Sequence, residues 1–320
     1  MTQGEVGQVG RAHSIGRLRL PRREELVNVL EFEDVAKLAL EPAAFATIAG
    51  GERAGFDRIT FRPRMMVPTL DLDLSVALFG DTHFTPVIVG PVAEQRRYHP
   101  EAELATRRGA AAARTAMIVS SRSSVPLAEI AAHAGAPIWY ATYADAGARH
   151  QIDQARAAGC KVICITTEAS APPDWKRIDA TVRGLAAPFV VKGVMTAQDA
   201  KRAIDQGASG VVVSDHGAGA PGRSTPIDAL SAVAEACAGT ATVLVDGGFR
   251  RGSDIAKAVA LGAQGVLVAR PIMWGLAAYG ADGVQGVLEL LHNDLARNLG
   301  ALGALNLQRL TREMVRIHRR

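Results

Sequence analysis

The chain has 320 residues, of which 48% are hydrophobic and 21% are charged, a composition that excludes a wholly disordered protein. No apolar run approaches the ~18 residues of a membrane span, and the first residues lack the apolar stretch of a secretory signal. Cys160, Cys164 and Cys237 have neither zinc-site spacing nor a disulfide framework. We therefore expect a cytoplasmic protein with no membrane association and no metal site.

The net charge of +4 does not predict nucleic-acid binding, because the excess arginine is concentrated at the two ends of the chain. Arginines cluster within residues 11–23 and 309–320, and no aromatic residues are interleaved to stack on bases. We interpret residues 1–23 as a flexible basic arm and residues 24–320 as a single domain.

From residue 86 onward, short β-branched runs alternate with Ala-rich amphipathic stretches. The runs have no polar alternation, which is typical of parallel strands buried on both faces. They predict strands at 86–91, 116–121, 137–143, 161–168, 188–193, 210–217, 242–248 and 265–271. The intervening segments predict helices at 101–114, 126–135, 148–159, 174–185, 196–207, 226–239 and 252–262.

Eight strands that alternate with helices predict a (β/α)8 TIM barrel, preceded by an N-terminal helical segment with helices at 32–41 and near 42–50. A doubly wound open sheet is the alternative, but it normally has fewer strands and a GxGxxG turn after the first strand. In a barrel, functional residues lie where the strands end. Lys192, His216 and the two glycine- or arginine-bearing turns at 246–252 and 269–271 should therefore converge on one face.

The last two turns favour a phosphate site over ordinary turn chemistry. Gly247 and Gly248 could expose backbone N–H groups near a helix N-terminus, and Arg250 and Arg270 supply guanidinium groups. The loops after the last two strands are the usual phosphate position in this fold.

Six motifs together resemble those of the FMN-dependent α-hydroxy-acid oxidases and dehydrogenases, the family of glycolate oxidase and lactate oxidase. They are FRPR (62–65), HPEAE (99–103), VKGVMTAQDA (191–200), SDHGAG (214–219), DGGFRRGSD (246–254) and ARP (269–271). The similarity runs from about residue 25 to residue 315, and it implies a flavin-binding TIM barrel with FMN as cofactor.

The resemblance implies three catalytic residues. Lys192 matches the lysine beside flavin N1 that stabilises reduced flavin, and His216 matches the base that takes the substrate hydroxyl proton while a hydride passes to flavin N5. A neutral imidazole titrating near its ordinary pKa of about 6.5 suits a base near neutral pH. Glu168 stands where the family has an aspartate, and it would orient His216 and favour its protonated form.

The resemblance also implies the cofactor contacts. Besides Lys192, the residues matched to flavin ring, ribityl or phosphate contacts are Pro91, Val92, Ala93, Ser120, Tyr140, Thr166, Ser214, Asp246, Gly247, Gly248, Arg250, Ala269 and Arg270.

The substrate-binding half departs from the family pattern. Gly219 stands where the family has a carboxylate-binding arginine, and a second such arginine belongs to a long excursion that is missing here. Thr142 matches the expected strand-three tyrosine, Tyr140 the neighbouring glutamine, and Thr47 the N-terminal tyrosine. Arg223 is a candidate substitute for the missing arginines. Because a buried carboxylate needs such partners, these changes argue against glycolate or lactate as substrate.

The sequence therefore predicts an FMN-dependent oxidoreductase that acts on a hydroxyl- or amine-bearing carbon of a larger small-molecule or carrier-tethered substrate. The alternatives are an FMN-dependent isomerase or other redox-neutral enzyme, a catalytically altered flavin-binding protein, and a phosphate-binding barrel without flavin. The resemblance also suggests a homo-oligomer, such as a tetramer.

Overall fold

A closed barrel of eight parallel strands forms the centre of the molecule in a computed structural model, which describes residues 20–63, 71–168, 171–219 and 224–318. Each barrel strand pairs with its neighbours in chain order, and the last strand closes onto the first. The strands are β1 (Ile59–Phe61), β2 (Val76–Leu78), β3 (Asp81–His83), β4 (Val87–Val89), β5 (Ala116–Ser120), β6 (Ile138–Tyr143), β7 (Ile163–Thr166), β8 (Phe189–Val194), β9 (Gly210–Val213), β10 (Thr242–Asp246), β11 (Gly265–Val268) and β12 (Val315–Ile317). The barrel comprises β4 to β11, which confirms the predicted (β/α)8 fold and its eight strands.

Alternate side chains of the barrel strands face two different apolar layers. One set fills the barrel interior, including Ile118, Trp139 and Cys164, all nearly inaccessible to solvent. The other set packs against the surrounding helices. Burial on both faces explains why the strand sequences are continuously apolar.

The helices follow the strands as the sequence predicts. Their bounds are α1 (Val29–Ala39), α2 (Pro42–Ala46), α3 (Ala54–Asp57), α4 (Ala102–Ala112), α5 (Leu127–Ala132), α6 (Ala148–Ala157), α7 (Trp175–Val182), α8 (Ala197–Asp205), α9 (Pro226–Cys237), α10 (Gly252–Ala260) and α11 (Arg270–Leu302). The helix α11 was not predicted. It bends at Tyr279 and Gly280, where the backbone leaves helical geometry, and it packs against α1, α4 and α10.

Two small antiparallel pairs lie outside the barrel. The hairpin β2–β3 covers the amino ends of the barrel strands, where Leu78 and Phe79 pack on the interior layer and Phe79 meets Trp139 edge to face at 5.3 Å. The pair β1–β12 joins the N-terminal segment to the end of the chain. This pair therefore joins two segments of the chain that are distant in sequence.

The predicted boundary of the basic arm lies against the barrel helices. The Tyr279 hydroxyl donates to the Pro21 carbonyl at 2.8 Å, and the Arg23 guanidinium donates to the Asp282 carbonyl at 3.3 Å. Residues 20–23 therefore contact the domain, and the rest of the predicted arm lies outside the described residues. In the part of the chain that the structure describes, no helix combines the length and apolarity needed to cross a membrane.

Candidate active site

A cavity of about 250 Å³ opens at the carboxyl ends of the barrel strands. This is the face on which the strand-end residues were expected to converge. Eleven of the predicted site residues line it: Pro91, Ser120, Thr166, Lys192, His216, Asp246, Gly247, Gly248, Arg250, Ala269 and Arg270. Residues from many different strand ends of the barrel thus line one cavity.

An ion pair between buried Lys192 and half-buried Asp246 lies in the cavity wall. The Lys192 Nζ lies 2.7 Å from Asp246 Oδ2 and donates a hydrogen bond of 2.6 Å to the Ser214 hydroxyl. Lys192 and Ser214 are buried, and Ser214 lies beneath the cavity surface rather than in its lining. The ammonium group is therefore held at a defined position by two partners.

The side chain of His216 projects into the same cavity from the turn after β9, where its backbone has a left-handed φ of 58°. The pKa of its imidazole is lowered to about 4, mainly by burial and secondly by the Lys192 ammonium, against the opposing effect of the Asp246 carboxylate. This pKa is well below the value near 6.5 expected from the sequence. The imidazole is consequently neutral near pH 7. A neutral imidazole can accept a proton.

The neighbour that hydrogen-bonds His216 is a threonine rather than the predicted glutamate. The Thr167 hydroxyl lies 3.4 Å from Nε2 of His216. Glu168 is exposed, and within the described ranges no hydrogen bond or ion pair joins it to the histidine. The carboxylate that acts electrostatically on the imidazole is that of Asp246.

Two arginines meet at the opposite end of the cavity. Arg250 Nη2 and Arg270 Nη1 both donate to the Gly50 carbonyl, at 2.7 and 3.2 Å. Arg250 is buried over the Trp274 ring, and its pKa is lowered to about 10, mainly by burial and then by the charges of Arg270 and Arg53. Two adjacent guanidinium groups whose described partners are carbonyls favour an anion between them.

The N-terminus of α10 does not contribute as the sequence suggested. The amides of Arg250 and Arg251 donate to Asp254 Oδ2 at 2.9 and 3.0 Å, and the amide of Gly252 donates to Asp294. These donors are already satisfied by carboxylates. A phosphate at this end would be held by the arginine side chains rather than by these three amides.

The residues present fit the cofactor that the motifs imply. Asp246 Oδ1 is buried and, among the described residues, has no hydrogen-bond partner, so it can accept from a hydroxyl of a bound ligand. The arginine pair suits a phosphate, and the Lys192 ammonium, which lies 2.7 Å from the other carboxylate oxygen of Asp246, lines the same cavity. A ligand with a phosphate, a chain of hydroxyls and an electron-accepting ring matches this set of groups.

The sequence alignment of strand β6 is corrected by one residue. Ala141 and Tyr143 line the cavity, whereas the predicted residues Tyr140 and Thr142 belong to the outer layer that faces the helices. The Thr142 hydroxyl donates to Gln151 of α6 at 2.5 Å, which accounts for its burial. Because side chains alternate along a strand, an error of one position exchanges the two faces.

Four other predicted residues lie outside the cavity lining. Val92 and Ala93 follow Pro91 at half-buried positions. Gly219 lies against Glu52, whose Cβ would be 2.7 Å from a Cβ at that glycine. The exposed Thr47 hydroxyl is 2.8 Å from that of Tyr98. Arg223 lies outside the described residues.

Several cavity residues were missed by sequence reasoning. Tyr143 was missed because the periodicity of a buried strand does not reveal which parity faces inward. The additional lining residues are Gly90, Ala141, Gly217, Phe249, Leu267 and Val268. Apart from Tyr143, they contribute backbone or apolar surface. Gly217 and Phe249 lie within the motifs SDHGAG and DGGFRRGSD, but the sequence assigned them no role.

Comparison with known proteins gives consistent matches over most of the chain. The profile of a family described as FMN-dependent dehydrogenase matches residues 46–172 and 168–317. The chain is 33% identical to 4-hydroxymandelate oxidase of Amycolatopsis orientalis, over 87% of this chain and 94% of that protein. It is 33% identical to L-lactate oxidase of Nostoc sp., over 88% and 96% respectively. A crystal structure of mandelate oxidase with (S)-2-phenylpropionate superposes with a TM-score of 0.85 at 33% identity, covering 92% of this chain and 98% of that one.

Proposed function

Because the chain belongs to the FMN-dependent dehydrogenase family and is an FMN-dependent oxidoreductase, we propose that it oxidises a 2-hydroxy acid to the 2-oxo acid with His216 as the base. The observation that carries this proposal is the neutral imidazole of His216, which lines the same cavity as the buried ammonium of Lys192. The relatives named above act on hydroxy acids.

The chain's own residues supply the proton transfer and the electrostatics. The imidazole of His216 accepts the proton of the substrate hydroxyl, and the Asp246 carboxylate stabilises the imidazolium that forms. Bound FMN would supply the acceptor for the hydride that leaves the carbon bearing this hydroxyl. Asp246 and Ser214 fix the Lys192 ammonium in the cavity. Its positive charge would stabilise the negative charge of the reduced cofactor. We also propose that Glu168 orients His216 and favours its protonated form when FMN and substrate are bound.

We propose that Arg250 and Arg270 bind the FMN phosphate, and that Asp246, Ser120 and Thr166 bind its hydroxyls and ring. Ser214 acts through Lys192, while Pro91, Val92, Ala93 and Ala269 would contact the ring by backbone and small side chains. These assignments are supported by the arginine pair and by the unpartnered Asp246 Oδ1 among the described residues.

We propose that the substrate is a hydroxy acid larger than lactate, either a free small molecule or an acid attached to a carrier. The supporting features are the small residue Ala141 in the lining and the short connection between β7, which ends at Thr166, and α7, which begins at Trp175. The chain is also proposed to be cytoplasmic and a homo-oligomer. Cell fractionation and light scattering test these two assignments.

The test is anaerobic mixing of the FMN-loaded protein with a panel of 2-hydroxy acids (glycolate, L-lactate, (S)-mandelate) while the flavin absorbance is followed. His216→Asn is the informative variant, since asparagine tolerates the left-handed backbone. We expect FMN to remain bound and flavin bleaching to slow by roughly 10²- to 10⁴-fold, the usual contribution of a general base. His150→Asn, on the exposed side of α6, is the matched control.

Bleaching in His216→Asn at the rate of the unchanged protein would overturn the role of His216. A flavin that stays oxidised while product forms would favour the redox-neutral alternative instead.

A further inference from the structure

The loop after β5 carries an arginine to the mouth of the cavity. The Arg122 guanidinium carbon lies 4.2 Å from the ring centroid of Tyr143, and Tyr143 lines the cavity. The stack is a cation–π contact that engages the flat face of the guanidinium group. Arg122 is exposed, so the N–H groups at the edges of the guanidinium are open to a ligand.

The backbone around Arg122 is firmly held. Its amide donates to the Ser120 hydroxyl at 3.1 Å, and its carbonyl accepts from the Glu94 amide at 2.9 Å. Two residues on, the Ser124 amide donates to the fully buried carboxylate of Glu103 at 2.9 Å. The side chain of Arg122 therefore extends from a loop with a defined conformation, which lowers the entropy lost on binding a ligand.

Arg122 is available for an anion. In the described part of the chain no carboxylate pairs with its guanidinium, whereas the neighbouring Glu94 carboxylate pairs with Arg97. Arg250 and Arg270, the two arginines that line the cavity, both donate to Gly50 at the proposed phosphate end. A second anion in the site thus needs a different cation.

The order of the strands separates the two cationic positions. In the closed barrel, β6 lies opposite β10, and β4 separates β5 from β11; the proposed phosphate-binding arginines follow β10 and β11. Arg122 and Tyr143 follow β5 and end β6. A ligand carboxylate at Arg122 would therefore not compete with a phosphate at Arg250 and Arg270.

We propose that Arg122, stacked on Tyr143, is the residue that binds the carboxylate of the substrate. This inference rests on the proposed function, because it assumes that the substrate is an acid. It also supplies the carboxylate-binding group that is missing at Gly219, a position that packs against Glu52 outside the cavity lining. The guanidinium edge offers two parallel N–H donors, which match the two oxygens of a carboxylate.

The test measures binding of 2-phenylpropionate, which has no hydroxyl group to oxidise, by its perturbation of the flavin spectrum of the FMN-loaded protein. The neutral 2-phenylpropionamide is measured in parallel. Arg122→Gln should raise the dissociation constant of the acid roughly 10- to 100-fold, as expected for loss of a charge-assisted hydrogen-bonded pair. Binding of the amide should change by less than about threefold, since only the ionised group is recognised.

Two further variants separate charge from geometry. Arg122→Lys keeps the charge but loses the planar fork, so it should bind the acid with intermediate strength. Arg96→Gln removes one exposed positive charge from the same rim and should leave the dissociation constant nearly unchanged. An equal loss in Arg96→Gln would assign the effect to the general field of the rim and overturn the proposal.

The proposal is also overturned if the unchanged protein does not bind 2-phenylpropionate, or if Arg122→Gln binds it normally. Its failure is distinct from failure of the proposed oxidation. His216→Asn should bind the acid as the unchanged protein does while losing flavin reduction. A protein that binds the acid through Arg122 but whose flavin no hydroxy acid bleaches would retain this inference and lose the proposed reaction.

Discussion

The ammonium group of Lys192 and the carboxylate of Asp246 lie 2.7 Å apart although β8 and β10, their strands, are not neighbours in the barrel. The intervening strand β9 leads to Ser214, whose hydroxyl accepts a hydrogen bond from the same ammonium. Three consecutive strand ends therefore converge on one charge. The turn after Ser214 brings His216 close enough for both Lys192 and Asp246 to affect the pKa of its imidazole.

Replacing Lys192 by methionine should lower the midpoint potential of bound FMN. The variant removes the positive charge that favours the reduced, more negative flavin, an effect of about 30 mV or more if the charge contributes about 1.4 kcal/mol. Spectroelectrochemical titration measures the potential. Lys201→Met, an exposed change on α8, is the control. A potential equal to that of the unchanged protein would mean that Lys192 does not act on the flavin.

The pH dependence of flavin reduction should report the lowered pKa of His216. A base must be unprotonated, so kcat/KM should be constant from neutral pH downward and fall only as the pH passes through about 4. Because the Lys192 charge lowers this pKa, Lys192→Met should shift the fall to higher pH. Rapid pH-jump mixing keeps exposure to acid short. A fall centred near 6.5 in the unchanged protein would contradict the burial of the imidazole.

A side chain at Gly51 should weaken FMN binding. A Cβ at this position would overlap Nη1 of Arg270 and lie 2.9 Å from Nη2 of Arg250, and its φ of 136° is a conformation that other residues rarely adopt. Gly51→Ala should therefore displace the arginine pair and weaken FMN binding about tenfold or more, the effect expected for a disturbed charge-assisted contact. Fluorescence quenching of FMN on titration with apoprotein measures the affinity.

The neighbouring glycine provides the control for this change. Gly50 also has a left-handed backbone, with φ of 57°, but a Cβ there would meet nothing within 4 Å. Gly50→Ala should destabilise the fold by about 1–2 kcal/mol through backbone strain without weakening FMN binding comparably. Equal losses of affinity in both variants would refute a steric role for Gly51.

The corrected alignment of β6 predicts that substitutions at Tyr143 and Thr142 affect different properties, namely catalysis and stability. Tyr143→Phe removes a hydroxyl from a cavity residue and should raise KM for the acid substrate or slow flavin reduction. Thr142→Val removes the buried hydrogen bond to Gln151 and should cost about 1–3 kcal/mol of unfolding free energy, with flavin reduction unchanged. Stopped-flow kinetics and denaturant unfolding separate the two. The reverse pattern would restore the original alignment.

Much of the site could be predicted because strand ends in a parallel barrel converge whatever the exact register. Lys192, His216 and Asp246 follow or end buried runs, so their meeting at one face follows from the fold. The partner of His216 could not be predicted in the same way. Thr167 and Glu168 are adjacent in sequence, and only the direction of the chain leaving β7 puts the threonine hydroxyl against the imidazole.

The sequence by itself determined the barrel, its eight strands, the FMN-dependent family and the presence of Arg250 and Arg270 at the strand-end face, because these depend on hydrophobic periodicity and on motifs contiguous in the chain. Tertiary structure alone decided that Tyr143 rather than Thr142 faces the cavity, that Gly50 meets both arginines, and that Arg122 lies over Tyr143. Each of these relationships joins residues from different elements. Their distances depend on strand register and loop path, which local sequence patterns do not specify.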